Sequence, residues 1–342
     1  MRLLRGLGMV VAGVVLVTVV GCTGGDGADP VPTEVPASTP AATRTPTPTP
    51  SPATNPVSIP GLIQREHTGS NLRLGSVLAR TTAYTRYAVT YEANGLTISG
   101  IMNIPTGKGP FPALVLAHGY IDPDVYTTGR GLAREQDLLA RNGYVVLHTD
   151  YRNHATSDDD PDNDVNLRLG YTEDVIGAVL ALRSSTRPEI DGDRIGLLGR
   201  SMGGGVAYNT LVVEPGLVDA AVVFAPVSSR PAENVDRFQR SEGDPIVNEI
   251  EAAHGTPEQN PKFWREVSPI TYADRLTEPL LIHHGTADDT CPITWSRQTT
   301  AAFKAAGKNV QLKEYKGEAH AFGPQWPASM DTTMAFFAQH LH

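Results

Sequence analysis

The chain is poor in cysteine, carries no basic run and has no apolar stretch long enough to cross a membrane comfortably. Its two cysteines are Cys22 and Cys291. With Cys22 consumed by modification, Cys291 has no partner in the chain, so the domain must rest on its core and not on disulfides. Acids outnumber bases, 37 to 28, for a formal charge of −9. Nucleic acid is excluded as a partner, because phosphate binding needs clustered Lys and Arg. The apolar run over 7–20 falls short of the roughly 20 residues a membrane helix needs. No internal repeat is visible, and there is no G-x-x-x-x-G-K-[ST] phosphate loop.

Arg2 and Arg5 precede the apolar run, and "VVGC" (19–22) closes it. A positive start, an apolar middle and a small-residue end read as a secretory signal. The closing residues resemble the lipobox of bacterial lipoproteins, whose cysteine is lipidated and becomes the first mature residue. An uncleaved anchor helix is the alternative, and both readings export the protein and tie it to a membrane. Residues 1–21 are thus expected to be a lipoprotein signal, with Cys22 the lipidation site. Residues 22–60, with "ASTPAATRTPTPTPSPATNP", are Thr, Pro and Ser rich without an apolar period, which cannot bury a core. Proline makes such a stretch an extended tether of about 3 Å per residue. The expected localisation is the outer face of a bacterial cell membrane, with the folded domain over 61–342.

Within that domain, "YTRYAVTYEA" and "LTISGIMNIP" flank Asn94-Gly95, a hairpin signature. Continuous apolar runs follow: "ALVLAHG", "YVVLHTD", "RIGLLG", "DAAVVFAP" and "PLLIHHG". Runs of this kind suit strands covered on both faces of a parallel sheet. Helical patterns lie between them. One is "TEDVIGAVLALRSS", with Thr172 as its expected cap and acids in its first turn. With "NVQLKEYKG" the count is eight strands, an α/β doubly wound sheet. A long polar segment, about 228–278, separates the sixth and seventh strands and is too long for a plain connection. It is expected to be a helical insertion over the C-terminal edge of the sheet, where ligands bind in open α/β folds.

Gly199-Arg200-Ser201-Met202-Gly203 matches G-x-S-x-G. A serine at the tip of a strand-to-helix turn needs a strained backbone, and glycines two before and two after remove the side chains that would clash. The turn aims the Met202 N–H at the reaction zone, at a helix N-terminus. A nucleophilic serine needs a base and an orienter, in the order Ser, acid, His. Asp288 or Asp289 in "HHGTADDTCP" supplies the acid, and His320 in "YKGEAHAFGP" the base. Both stretches follow strands at the same sheet edge as Ser201. His118 and His284 precede glycines at strand ends and read as structural hydrogen-bonding residues. His148 reads as core, and His67, His254, His340 and His342 as solvated. The acidic run "SDDDPDNDVN" fails the EF-hand pattern, with Asn163 and Leu169 where Gly and Glu are needed. It is expected to be a solvated loop near the active-site edge.

Together "FPALVLAHGY", "GRSMGGG", "HGTADD" and "GEAHAF" resemble the prolyl-oligopeptidase family of the α/β-hydrolase superfamily, over about 84–342. The resemblance implies an α/β-hydrolase fold with Ser201 as nucleophile and His320 as base. It selects Asp288 as acid, counted as H-G-x-x-D from His284-Gly285, with Asp289 second. It assigns the oxyanion to the N–H groups of Met202 and Tyr120, or to the Tyr120 phenol. Family peptidases usually carry a β-propeller ahead of this domain. Only the tether and about 20 residues precede the first strand here, which favours a broader acyl hydrolase. The related dienelactone hydrolases use a cysteine nucleophile, which Ser201 argues against, and Cys291 reads as packing. The expectation is a lipid-anchored serine hydrolase needing no cofactor or metal, acting on a peptide or small-molecule ester or amide. A carboxylesterase or acyltransferase, or a catalytically dead tethered binding protein, are the competing readings.

Overall fold

The computed structural model describes residues 54–341. The signal segment, Cys22 and the tether up to residue 53 lie outside the described residues. Helix α1 (Ile59–Gln64) comes first, with Ser58 Oγ accepting the Gly61 N–H at 3.0 Å. Ile59 and Leu62 are buried in the core, so the end of the expected tether is corrected to lie before α1. Composition alone could not show that this apolar pair has a core to enter.

The sheet has nine strands and not eight, in the order β1-β2-β3-β5-β4-β6-β7-β8-β9. The additional strand is β1 (Gly69–Arg80), an edge strand with no buried residue. Without a buried face it has no apolar alternation for a sequence pattern to detect. It pairs antiparallel with β2 (Tyr84–Ala93), which turns at Asn94-Gly95 into β3 (Leu96–Pro105). Both turn residues take positive φ, 49° and 88°, as a two-residue hairpin turn requires.

β4 (Phe111–Ala117), β5 (Val145–Thr149), β6 (Ile190–Arg200), β7 (Ala220–Phe224), β8 (Leu280–Gly285) and β9 (Val310–Tyr315) run parallel. Alternate residues enter two core clusters. Ala113, Val115 and Ala117 face one, Leu114 and Leu116 the other. The first is covered by α1, α3 (Gly170–Arg183), α4 (Met202–Val213) and α8 (Ile293–Ala305). The second is covered by α2 (Ala133–Arg141) and α9 (Trp326–His340). This is the α/β-hydrolase fold. Because the six strands are parallel, the loops that follow them meet along one edge.

Helix α3 starts earlier than its cap signal. It opens at Gly170 without a side-chain cap, and Thr172 lies inside it, fully buried. Its acids are spent on arginine, not on the helix dipole. Asp174 Oδ1 takes Arg152 Nη2 at 2.8 Å, and Arg152 also reaches Asp160 at 2.9 Å. The acidic run is therefore corrected from a solvated loop to a partly packed one. Asp158 Oδ2 accepts the Thr97 N–H at 2.7 Å, and Asn163 is buried. Among the described residues, no three His, Cys, Asp or Glu are grouped to hold a metal ion. The insertion forms α5 (Pro231–Phe238), α6 (Ile246–His254) and α7 (Pro261–Glu266), with 3-10 turns between and after them. With β1 counted, it joins β7 to β8.

Two histidines read as solvated are corrected. The His67 side chain is 2% exposed and its Nε2 meets Leu62 O at 2.9 Å. His254 stacks on Phe263 with ring centroids 4.3 Å apart. His340 lies against Phe336, at 4.7 Å, and His342 falls outside the described residues.

Candidate active site

Ser201 stands between β6 and α4 with φ 54° and ψ −119°. A non-glycine residue in this region costs of order 1–3 kcal/mol and persists only where its surroundings hold it. Here the Ser201 N–H donates to Phe224 O at 3.0 Å. Its carbonyl accepts from the N–H groups of Gly204 at 2.9 Å and Val227 at 3.1 Å. The flanking glycines permit the close approach. A Cβ on Gly199 would lie 2.3 Å from Gly203 O, and one on Gly203 would lie 2.0 Å from Ala117 O. Gly203→Ala should therefore displace the turn. The expected result is a stability loss of about 3 kcal/mol, with loss of ester hydrolysis, read by thermal unfolding and a p-nitrophenyl acetate assay. Unchanged melting and activity would show that the turn can widen.

Asp288 follows β8, and its side chain is shut off from solvent. Its Oδ1 accepts the N–H groups of Thr290 at 3.0 Å and Cys291 at 2.9 Å. Its Oδ2 lies 2.9 Å from His320 Nδ1 and 3.3 Å from His284 Nε2. Burial pushes the carboxyl up. The hydrogen bonds from His284, His320 and the Cys291 N–H outweigh it and hold the group well below the usual carboxylate range. Asp289 is exposed and does not meet His320; its carbonyl accepts from Arg237. The structure thus pairs His320 with Asp288.

His284 is buried, with Nδ1 2.7 Å from Ser296 Oγ and Nε2 2.9 Å from Cys291 O. A carbonyl only accepts, so Nε2 carries the proton and is the nitrogen facing Asp288. His118 and His284 are thus both hydrogen-bonded, while both His148 ring nitrogens are buried without a partner.

Ser201 and His320 line one cavity. The Ser201 hydroxyl and the Cys291 thiol are near neighbours. Burial, helped by the Asp288 charge, pushes that thiol up to about 12. Cys291 is therefore a protonated packing residue. The Met202 N–H opens α4, where no intrahelical acceptor exists. Tyr120, in the loop after β4, is 52% exposed, and the Arg168 guanidinium lies 4.4 Å over its ring. Both Tyr120 and Met202 line the cavity.

Several supporting residues carry no recognisable sequence signal. Arg200 donates to the His320 carbonyl at 3.2 Å and meets Glu135 at 3.4 Å. Glu135 also accepts Trp326 Nε1 at 2.8 Å, and Arg134 donates to Ala321 O at 2.9 Å. The His320 loop is thus tied to the residue beside the serine and to α2. Glu318 accepts the Gln325 N–H at 2.7 Å and staples the same loop. The Tyr120 loop is set by a buried aromatic cluster. His118 Nδ1 lies 2.6 Å from Gly119 O and His154 Nε2 3.1 Å from Ile121 O. Tyr126 stacks on His118 at 4.8 Å. Burial pushes the His118 pKa down to about 4, so the ring stays neutral.

The cavity holds about 460 Å³, within the usual range for a ligand site. The insertion supplies Pro231, Val235 and Phe238 to its walls, and the loop before α3 supplies Leu167 and Arg168.

Comparison with known proteins agrees with this fold. The chain is 28% identical over 270 residues to the uncharacterized peptidase YuxL of Bacillus subtilis, covering 77% of this chain and 39% of YuxL. Among solved structures it resembles an acylaminoacyl peptidase of Pyrococcus horikoshii, with a TM-score of 0.59 and 22% identity, covering 77% of this chain and 42% of that one. It also resembles an acetyl xylan esterase of Paenibacillus sp. R4, with a TM-score of 0.61 and 20% identity, covering 83% and 92%. The chain therefore spans less than half the length of YuxL and of the acylaminoacyl peptidase. The sequence profile of the prolyl oligopeptidase family matches residues 131–342, most of the described domain and all three residues Ser201, Asp288 and His320. With the α/β-hydrolase sheet and a serine on its strained turn, this chain is a serine hydrolase belonging to the prolyl oligopeptidase family.

Proposed function

We propose that Ser201, His320 and Asp288 are the nucleophile, base and orienting acid of a hydrolase that cleaves an ester or amide through an acyl-enzyme. The observation that carries this reading is the contact of His320 Nδ1 with Asp288 Oδ2, 2.9 Å, beside a cavity that Ser201 also lines. With Nδ1–H held by Asp288, His320 Nε2 is left with a lone pair. That nitrogen is the acceptor for the Ser201 hydroxyl proton. Ser201 Oγ attacks the carbonyl carbon while His320 takes its proton. The N–H groups of Met202 and Tyr120 receive the oxyanion. His320 then protonates the leaving group, and a water deprotonated by His320 releases the acyl group. Asp288 stabilises the imidazolium throughout and stays ionised.

A fluorophosphonate probe tests the nucleophile directly. Labelling of the wild type and its loss in Ser201→Ala is the expected result, and labelling that survives the substitution would move the nucleophile elsewhere. Rates on p-nitrophenyl acetate and butyrate, set beside aminoacyl and acyl-peptide anilides, decide between ester and peptide substrates. A dead binding scaffold would act on none of them.

The domain is further proposed to be exported and held at the outer face of a bacterial membrane by a lipid on Cys22. The basic start, the apolar run and "VVGC" support this, and no helix among the described residues is long and apolar enough to cross a membrane. Cys22→Ala should move the protein from the membrane to the soluble fraction. Retention at the membrane would favour an uncleaved helix.

A further inference from the structure

The cavity does not end at Ser201. Met202, Gly205, Val206 and Asn209 also line it, and these positions share one face of α4. At 1.5 Å per residue, Asn209 lies about 12 Å along the helix from the nucleophile, the length of about three extended residues. The wall between is apolar, with Val206, Val235 and Phe238. Asn209 breaks that character. Its Oδ1 is shut off from solvent and receives no hydrogen bond, so it faces the arm only after a turn about χ2. Two other amide or carboxylate side chains of the lining, Asn234 and Asp164, are already engaged. Asn234 exchanges bonds with Ser228 at 2.9 Å through both ends of its amide, and Asp164 holds Arg168 at 2.7 Å.

We propose, resting on the triad reading above, that this arm is an acyl subsite and that Asn209 determines its specificity. It takes an extended acyl group, apolar along its length and tipped with an amide that hydrogen-bonds Asn209. A two-fold turn about χ2 exchanges the carbonyl and amino ends of the Asn209 side chain, so an incoming amide can meet a donor or an acceptor. The arm serves the acyl half because the leaving group must receive its proton from His320. That histidine precedes α9, which packs on the opposite face of the sheet from α4. A short acyl group such as acetyl would leave the arm unfilled and Asn209 without a partner.

Three p-nitrophenyl esters test the assignment: acetate, octanoate and the suberamate, which matches octanoate in length but ends in a carboxamide. The wild type should show kcat/KM about tenfold higher for suberamate than for octanoate, with acetate lowest. Asn209→Leu should bring the suberamate-to-octanoate ratio down about tenfold. Asn209→Gln, which keeps an amide, should hold the ratio above one. A wild-type ratio at or below one overturns the subsite without requiring any variant to fold. So does an equal loss on both long esters in Asn209→Leu, which would mark a structural role. Ser201-dependent hydrolysis of acetate with no such preference rejects the subsite and leaves the triad standing. Hydrolysis of all three esters that survives Ser201→Ala rejects both.

Discussion

Ser201→Ala is expected to lower kcat by on the order of 10⁶-fold while changing KM little, as removal of a triad nucleophile does in other serine hydrolases. The residual rate comes from the oxyanion donors and from substrate positioning, which the substitution leaves in place. The fold should be nearly indifferent. The bonds that hold the turn are made by the Ser201 N–H and carbonyl and not by its hydroxyl. Ser201→Gly sharpens the point. Glycine adopts φ 54° without strain, so that variant should be more stable than the wild type by about 1 kcal/mol while equally inactive. Single-turnover kinetics and thermal unfolding measure the two effects separately. A Ser201→Ala protein with more than a hundredth of wild-type kcat would remove Ser201 from the mechanism.

The second large effect is expected for Asp288→Asn, a loss of about 10⁴-fold in kcat. The surrounding hydrogen bonds dictate how the new amide must sit. The N–H groups of Thr290 and Cys291 both donate to Oδ1, which fixes that position as the oxygen. The amino group then takes the place of Oδ2 and faces His320 Nδ1 and the Nε2–H of His284, two donors where a donor cannot serve. His320 relieves the conflict by moving its proton to Nε2, and in that tautomer it cannot accept the serine proton. Asp289→Asn should leave the rate near wild type, because Asp289 is exposed and apart from His320. The reverse outcome would exchange the roles of the two acids. There is a pH consequence as well. The folded Asp288 carboxyl is held below its unfolded value. Its contribution to stability is therefore complete above the unfolded pKa of about 4 and is lost as pH falls below it. Asp288→Asn should flatten that part of the acid unfolding curve.

Much of the domain was legible in the chain. Apolar runs bounded by turns mark strands that are buried on both faces, and β4 to β8 carry that signature directly. The Asn94-Gly95 turn is written in two residues whose backbone needs are unusual. β1 was not legible, because an edge strand without a buried face imposes no pattern on its side chains. The acidic run misled for a related reason. Asp158 and Asp160 look solvated in sequence, yet Asp158 is met by the Thr97 N–H from β3 and Asp160 by Arg152, which its own loop folds back to it.

By itself, the sequence determined the sheet edge, the strained serine turn and the order Ser201, Asp288, His320 along the chain. Each rests on local covalent geometry or on a periodicity a few residues long. Residue types left two adjacent aspartates open; the family resemblance selected Asp288, and in the tertiary structure that is the one that meets His320. The tertiary structure alone decided that Arg200, Glu135 and Glu318 hold the His320 loop, and that the cavity beside Ser201 runs along α4 to Asn209, whose Oδ1 receives no hydrogen bond. Those depend on directions in space between segments far apart in the chain. A side chain's neighbours across a fold leave no spacing in the sequence to be read.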